Sequence, residues 1–383
     1  MIFMNENLPL GIYVHYPFCV RKCPYCDFVS YSKSQCGIAD EDYLFALLNE
    51  FKIKEPFVKG RTLRSIYFGG GTPSLFKPSC IGTLLETLSS YIDTGTEISM
   101  EANPGTVTKK LLKEYHDAGI NRLSLGVQSF TYRALKALGR IHDSKSSFSA
   151  CEAAQSIFDN FNIDLMHGLP GQSINEALYD LQCALDFSCT HLSWYELTIE
   201  EDTAFWTNPP ALPDEDLLIA IENEGFSFLK SKNYQRYEIS AFHHGKPCQH
   251  NTNYWSFGDY LGLGAAAHSK LKIGSVTYRQ SNNEDVPQYL KDVYSLKGSG
   301  DVRLQVVADS DLPFEFMLNR LRLLKETGIE EFSKTTGLDF NKVKPQLLKA
   351  QQLGLLYFND TGYGLTEHGK WHLNEILKMF LDS

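Results

Sequence analysis

Three cysteines fall within one short run, Tyr13-Val-His-Tyr-Pro-Phe-Cys19-Val-Arg-Lys-Cys23-Pro-Tyr-Cys26-Asp27. Cysteine thiolates are the usual protein ligands of iron–sulfur clusters. Three of them at a C-x3-C-x2-C spacing, on a loop that comes after an apolar run, can converge on one inorganic centre. A cube of four irons held by three thiolates keeps one iron free for an outside chelator. Two other readings stay open. Structural zinc wants four closed ligands, and His15 is the only nearby fourth; alternatively the thiols are structural. The other six cysteines (Cys36, Cys80, Cys151, Cys183, Cys189, Cys248) are scattered and the total of nine is odd, unlike a secreted disulfide framework.

Further polar or glycine-rich groups punctuate the chain. Gly69-Gly70-Gly71-Thr72-Pro73 lets backbone approach a ligand without Cβ obstruction, although a lone glycine triplet before proline is more often a turn. Glu101, in Ser99-Met-Glu101-Ala-Asn103-Pro104, offers a carboxylate for ribose hydroxyls; helix capping around Asn103 is the plainer reading. Gln128, Arg140 and Asp164 sit in Leu125-Gly-Val-Gln128-Ser-Phe130, Leu138-Gly-Arg140-Ile-His142-Asp143 and Asn162-Ile-Asp164-Leu165. Taken singly, each could be an ordinary turn or surface residue.

Their placement unites them. Strand-like runs cover 11–16, 64–68, 97–101, 122–125, 162–166, 191–197 and 234–240, with helix-like stretches such as 41–51, 107–118, 146–158 and 175–187 between. Repeated alternation of this kind predicts a parallel sheet with crossover helices. The count fits an α/β fold built on a partial (β/α) barrel. Nearly every group above falls just after a strand, and the C-terminal strand ends of such a barrel open on one face.

Three regions are expected: a barrel over 1–240, a connecting region over 241–312 rich in His, Asn, Gly and aromatics, and a C-terminal unit over 313–383. A proline-rich stretch at 208–214 joins the barrel's last units. The last region reads helix (313–325), helix (329–335), helix (339–353), hairpin (355–365), helix (370–381), an order that looks like a winged helix. Its 9 Lys/Arg balance 9 Asp/Glu, and the whole 383-residue chain carries a formal charge of −10. A DNA-binding regulator needs a basic face, so no nucleic-acid partner is expected. Neither a signal peptide nor a run of about 18 apolar residues is found. With the cysteine pattern, this predicts a cytoplasmic protein with no integral membrane segment.

C-x3-C-x2-C with an aromatic, Tyr25, before the last cysteine resembles the signature of the radical-SAM superfamily. The resemblance implies a 4Fe-4S cluster on Cys19, Cys23 and Cys26 whose free iron is chelated by S-adenosylmethionine. The GGGTP element matches the coproporphyrinogen-III-oxidase-like subfamily. By that resemblance Tyr13, Tyr25, Gly70, Gly71, Thr72, Glu101, Gln128, Arg140 and Asp164 are the S-adenosylmethionine contacts. The segments at His167-Gly-Leu-Pro170-Gly171-Gln172, Ser193-Trp-Tyr195 and Tyr237-Glu238-Ile-Ser240 also look like this subfamily, so the likeness spans nearly the whole chain.

Two branches of the subfamily differ in function: an oxygen-independent coproporphyrinogen III oxidase, a radical-SAM dehydrogenase of porphyrin biosynthesis, and a haem chaperone. The oxidase pattern continues to a fourth cysteine, where this chain has Phe28; the oxidase also has a long N-terminal extension, where this chain has 12 residues before Tyr13. Cys248-Gln-His250-Asn251-Thr-Asn-Tyr254-Trp255 matches the H-N-x-x-Y-W motif of the chaperone branch. The resemblance thus implies a chaperone that binds haem and passes it to an apo-protein acceptor. An electron donor joins the partners if the cluster is reduced. Neutral imidazole is a good axial ligand, so His250 is the expected haem ligand and Cys248 the alternative. Tyr254 and Trp255 could pack on the flat macrocycle or reach its propionates. The plainer reading is a buried turn at His250 and Asn251, with Tyr254 and Trp255 filling core.

Overall fold

The computed structural model describes residues 9–381. Most of the short stretch before Tyr13 lies outside the described residues, as does the expectation about a leader there. Twelve strands form one sheet. In chain order they are β1 (Leu10–Tyr16), β2 (Leu63–Gly70), β3 (Glu97–Ala102), β4 (Arg122–Gln128), β5 (Phe161–His167), β6 (His191–Glu196), β7 (Gln235–Glu238), β8 (Ala241–His243), β9 (Asp259–Leu263), β10 (His268–Ile273), β11 (Val276–Ser281) and β12 (Gln305–Val306). Their spatial order is β12-β11-β10-β9-β1-β2-β3-β4-β5-β6-β8-β7. The seven strands from β9 to β6 run parallel and the outer ones antiparallel. The architecture is the expected α/β partial barrel.

Parallel strands are covered on both faces and therefore read as near-continuous apolar runs. β1 is an example, with six of its seven residues buried. Helices α1 (Asp40–Lys54), α2 (Pro78–Leu88), α3 (Lys109–Asp117), α4 (Ser144–Gln155), α5 (Ile174–Asp186) and α6 (Glu215–Ser231) make the crossovers. Side chains start most of them. Thr108, Asp143 and Asp214 each accept the N-cap hydrogen bond, and Ser173 forms a capping box with Glu176. The helices and the sheet share one large core.

The expected boundary at 240 runs through this sheet. The segment read as a connecting region supplies β8 to β12, and β9 pairs with β1 in parallel register from Leu10↔Asp259 to Val14↔Leu263. It also supplies α7 (Gln249–Trp255) and α8 (Val286–Ser295). A parallel pairing between segments about 250 residues apart leaves no local signal.

The C-terminal unit has its own core around Phe316, Phe332, Leu347, Tyr363 and Ile376. It holds α9 (Leu312–Arg320), α10 (Ile329–Thr336), α11 (Lys344–Gln352) and a three-stranded antiparallel sheet, β13 (Thr327–Gly328), β14 (Leu356–Phe358) and β15 (Gly362–Leu365). This is the winged-helix-like order expected. The single helix read over 339–353 is in fact a 3-10 turn, Phe340–Lys342, and then α11, because Pro345 fits only a helix's first turn. The last helix is likewise split into Glu367–Trp371 and Leu373–Lys378.

Asp259 fixes β9 in place. Its carboxylate takes Arg61 Nη1 at 3.0 Å, Lys270 Nζ at 3.3 Å and the Lys272 N–H at 3.1 Å, while Arg61 also donates to the Pro9 carbonyl at 3.2 Å. The charged side chains of Asp259, Arg61 and Lys270 are all buried. Removing one partner of a buried ion pair strands the others, at about 3–5 kcal/mol. Asp259→Ala is expected to destabilise the protein by that amount, read as a lowered midpoint in urea; an unchanged midpoint would contradict the role.

Candidate functional site

The cysteine loop leaves β1 at Tyr16 and is held from three sides. Thr72 donates its backbone N–H to the Phe18 carbonyl (2.9 Å) and its hydroxyl to Cys19 Sγ (3.4 Å), and the Gly71 N–H donates to the Tyr16 carbonyl at 2.8 Å. Arg140 donates Nη1 to the Tyr25 hydroxyl at 3.1 Å and to Cys23 Sγ at 3.6 Å, and Nη2 to the Gly126 carbonyl at 2.7 Å. The Phe205 N–H donates to the Pro24 carbonyl at 2.9 Å, and the Cys26 N–H closes a turn onto the Cys23 carbonyl at 3.1 Å.

The glycines also serve the chain itself. A Cβ on Gly70, which has φ +111°, would lie 2.7 Å from the His15 ring, and one on Gly71 would lie 2.8 Å from the Phe18 carbonyl oxygen. Their missing side chains make room for this chain's own loop, and both residues also line the cavity that opens beside it. His15 is occupied as well. Its Nε2 meets the Val29 carbonyl at 3.0 Å and its Nδ1 the Tyr13 hydroxyl at 3.0 Å, so it supports the loop and is not a fourth zinc ligand. Among the described residues no three His, Cys, Asp or Glu side chains converge on a point as the ligands of one ion would. A cube instead needs each thiolate on a separate iron.

A cavity of about 470 Å³ opens on this loop. Cys19, Cys23, Cys26, Tyr25, Gly70, Gly71, Thr72, Glu101, Gln128, Arg140 and Asp164 all line it. Tyr13 and His250 do not. They line a neighbouring recess of about 590 Å³, which shares Asp27, Phe28, Tyr67, Gly70, Glu101 and Asn251 with the first. Trp255, read as a possible macrocycle contact, lines the first cavity, while sequence reasoning missed Tyr67, Met166, Ser193, Tyr195, Glu238 and Arg322 as lining residues. Several carried a signal: Tyr67, Ser193 and Tyr195 stand at alternate positions of otherwise apolar strands, where a strand turns one face inward.

Inside the barrel the electrostatics is set by carboxylates with few counter-charges. Glu101 accepts from the Tyr67 hydroxyl at 2.9 Å. Burial pushes its carboxyl up to about 7, the Asp164 charge adds to this, and the hydrogen bonds of Tyr67 and Gly70 oppose it. Burial also raises Asp164, against hydrogen bonds from Ser193, Ser124 and Asn162. Two partly desolvated carboxylates facing one cavity suit a cationic ligand that also offers hydroxyls. Arg140 Nε is sealed from solvent with no partner.

In the recess, His250 is buried. Its Nδ1 meets Ser65 Oγ at 2.9 Å, its ring stacks on Tyr67 at 4.7 Å and 17°, and Tyr254 stands edge-on at 4.7 Å. Its Nε2 has no partner. Burial, helped by the Arg122 charge, pushes its pKa down to about 3, so the imidazole stays neutral with a lone pair available. Glu97 holds its helix: the carboxylate accepts from the backbone N–H of Gln249 at 3.0 Å and of His250 at 3.3 Å. Cys248 lines neither cavity. Its thiol, pushed up to about 12 by burial, donates to Glu97 at 3.4 Å.

Comparison with known proteins agrees with this geometry. The radical-SAM superfamily model matches residues 13–182 and the HemN C-terminal domain model residues 307–372. The heme chaperone HemW of Haemophilus influenzae is 44% identical over 388 residues, covering 99% of each chain. That of Escherichia coli is 42% identical, covering 97% of this chain and 98% of its own. The chain belongs to the HemW family of the radical-SAM superfamily. In fold it is like the solved coproporphyrinogen III oxidase (HemN) from Escherichia coli, a radical SAM enzyme, with a TM-score of 0.81 at 24% identity over 99% of this chain and 91% of that one.

Membership of the superfamily implies a 4Fe-4S cluster and S-adenosylmethionine. The residues of this HemW-family chain fit both: three thiols and two carboxylates at strand ends line one cavity, with the Arg140 guanidinium on Cys23 and Tyr25. A bound cluster would supply a redox-active iron, and Glu101 and Asp164 would offer acceptors to ammonium and hydroxyl groups.

The raised Glu101 carboxyl makes a stability prediction. Its ordinary value is 4.5 and its folded value about 7, so between these pH values the folded chain keeps a proton that the unfolded chain has lost. Stability from this group is present below about 4.5 and lost as pH rises through 7, on the order of 2 kcal/mol after allowing for partial exposure. Glu101→Gln is expected to raise the melting temperature of the ligand-free protein at pH 8 and leave it nearly unchanged at pH 4.5. Equal shifts at both would refute the assignment.

Proposed function

We propose that this protein is a haem chaperone that binds haem and transfers it to an apo-protein acceptor. On this reading it carries a 4Fe-4S cluster on Cys19, Cys23 and Cys26 and an exchangeable S-adenosylmethionine. The S-adenosylmethionine lies against Tyr25, Gly70, Gly71, Thr72, Glu101, Gln128, Arg140 and Asp164, with Tyr13 in the neighbouring recess. The relatives from Haemophilus influenzae and Escherichia coli, similar over nearly the full chain length, carry the name heme chaperone HemW, which supports the haem reading.

The observation that carries it is the imidazole of His250. A buried ring nitrogen with no protein partner costs stability unless something uses it. Here the imidazole is neutral and His250 lines a recess flanked by Tyr13, Tyr67, Tyr254 and Tyr260, a set of rings that suits a flat macrocycle. Phe28, in place of a fourth cysteine, stands exposed at the rim of both cavities and adds apolar surface there. No disulfide joins any of the nine cysteines, which fits a reducing cytoplasm, and an electron donor joins the partners if the cluster is reduced. Among the described residues no helix is long and apolar enough to cross a membrane.

The alternative is coproporphyrinogen III oxidase chemistry, and one pair of assays separates the two. An anaerobic haem titration of cluster-reconstituted protein, monitored by the Soret band, is expected to saturate near one haem per chain and to lose that saturation in His250→Ala. Anaerobic turnover with coproporphyrinogen III is expected to release no carbon dioxide. Carbon dioxide release with no haem binding would install the oxidase reading. Separately, Cys19→Ala, Cys23→Ala and Cys26→Ala should each drop bound iron from about four per chain to near zero; a variant that keeps its iron is not missing a ligand.

A further inference from the structure

Part of the cysteine cavity is lined by residues that none of the assigned contacts uses. Arg322 reaches it from the C-terminal unit, which is stitched to the sheet at that point. Glu238 and Leu323 form an antiparallel bridge, and the Leu324 N–H donates to the Tyr237 carbonyl at 3.0 Å. The Arg322 guanidinium lies over the Trp255 ring, 4.5 Å from its centroid, and Asn251 stands one turn earlier on α7. Stacking fixes the guanidinium plane and leaves its edge available for a two-pronged acceptor.

That corner holds two unpaired donors. Arg322 Nε and Trp255 Nε1 are both sealed from solvent, and neither has a hydrogen-bond partner. The nearest carboxylate, Glu238, reaches Arg322 Nη2 through Oε2 at 3.5 Å, beyond hydrogen-bond contact, and Oε2 is likewise unpartnered; its Oε1 is taken by the N–H and hydroxyl of Ser240 at 3.1 and 3.2 Å. The other guanidiniums lining the cavity are spent elsewhere, Arg140 on Gly126, Tyr25 and Cys23, and Arg21 on Gly139. Buried donors left without acceptors are costly, and a carboxylate is the group that would satisfy both at once.

We propose that Arg322 and Trp255, with Asn251, form a carboxylate-binding subsite that takes one peripheral carboxylate of the ligand entering this cavity. The C-terminal unit is then part of the binding site and not a separate module. The identity of that ligand rests on the haem reading: a porphyrin carries propionates on a flat rim, and His250 and Trp255 lie five residues apart on one helix, about 7.5 Å along its axis and about 140° around it. They face the recess and the cysteine cavity respectively, and Asn251 lines both, so a ligand that spans the two spaces would present its metal to the first and a rim carboxylate to the second. The carboxylate of an S-adenosylmethionine offers the same chemistry from another source.

The test titrates full-length, cluster-reconstituted protein anaerobically with haem, with haem dimethyl ester, which lacks free carboxylates, and with S-adenosylmethionine. It compares the parent with Arg322→Ala and with Trp255→Phe, which keeps the ring and drops the N–H. Arg322→Ala is expected to weaken haem binding about tenfold or more, as loss of a charge-assisted bond does. Trp255→Phe should weaken it several-fold, and neither should change affinity for the ester. The same losses seen with S-adenosylmethionine instead of haem also support the subsite and assign the carboxylate to that molecule. Equal losses for haem and its ester, or no loss for any ligand, overturn it. Should Arg322→Ala not fold, Trp255→Phe decides alone. A parent protein that binds no haem sinks the haem reading, and the S-adenosylmethionine arm then judges the subsite by itself.

Discussion

β1 is hydrogen-bonded along both edges, to β2 on one side and to β9 on the other, and all three run parallel. Their C-terminal ends consequently open on the same side of the sheet, so the loops leaving them meet there. β1 leads into the cysteine loop, and β2 into the glycine turn that clamps it. α7, which bears His250, packs against β2 from just ahead of β9, with its first N–H groups on Glu97 at the start of β3. The fixing points of this arrangement are at the opposite end of the strands. Arg61 ties Pro9 before β1 to Asp259 at the start of β9, a buried junction in which one carboxylate is shared by Arg61 and Lys270 and its loss would strand both.

The barrel interior is polar, which is the opposite of an ordinary core and the condition for a ligand site. One side chain after another on its strands carries a heteroatom: Ser65 and Tyr67 on β2, Glu97 and Glu101 on β3, Arg122 and Ser124 on β4, Asn162 and Asp164 on β5, His191 and Ser193 on β6. These satisfy one another in chains, such as Asp164 with Ser124 and Asn162, and Asn162 with His191, which in turn meets Tyr237. Arg122 is the buried cation of this interior, and Glu97 at 3.9 Å is its counter-ion. Their joint charge bears directly on His250, since Arg122 helps keep that ring neutral while Glu97 holds the backbone that carries it.

Much of this is legible in the amino-acid order alone. The cysteine spacing is a local property, and a cluster loop can be read locally. The carboxylates, Gln128 and Arg140 are legible as a group because each comes after a strand or ends one, and a parallel sheet gathers strand ends irrespective of their separation in sequence. The hidden features depend on distance. That β9 is a barrel strand is a consequence of its pairing with β1, which no short window contains. Arg322 enters the cavity because the C-terminal unit docks on the rim of the sheet at Glu238, a tertiary contact that Arg322's own neighbours in sequence do not encode. The glycine triplet is legible as a close approach, but its partners are not: they are His15 and Phe18 of the same chain.

The two cavities cannot be altered independently, because one residue belongs to both in a demanding way. Tyr67 donates its hydroxyl to Glu101, on the wall of the cysteine cavity, and presents its ring face to His250 in the recess. An occupant that takes the Glu101 oxygens into its own hydrogen bonds competes for the acceptor that orients Tyr67. A shift of Tyr67 moves the surface on which His250 is stacked, and the other polar anchor of that ring is the Ser65 hydroxyl. With the ring 17° from parallel and 4.7 Å away, that stacking contact leaves little slack. Ligands in the two spaces are therefore joined through a single hydrogen bond and a single stacked pair, a shorter link than any path through the backbone of the sheet.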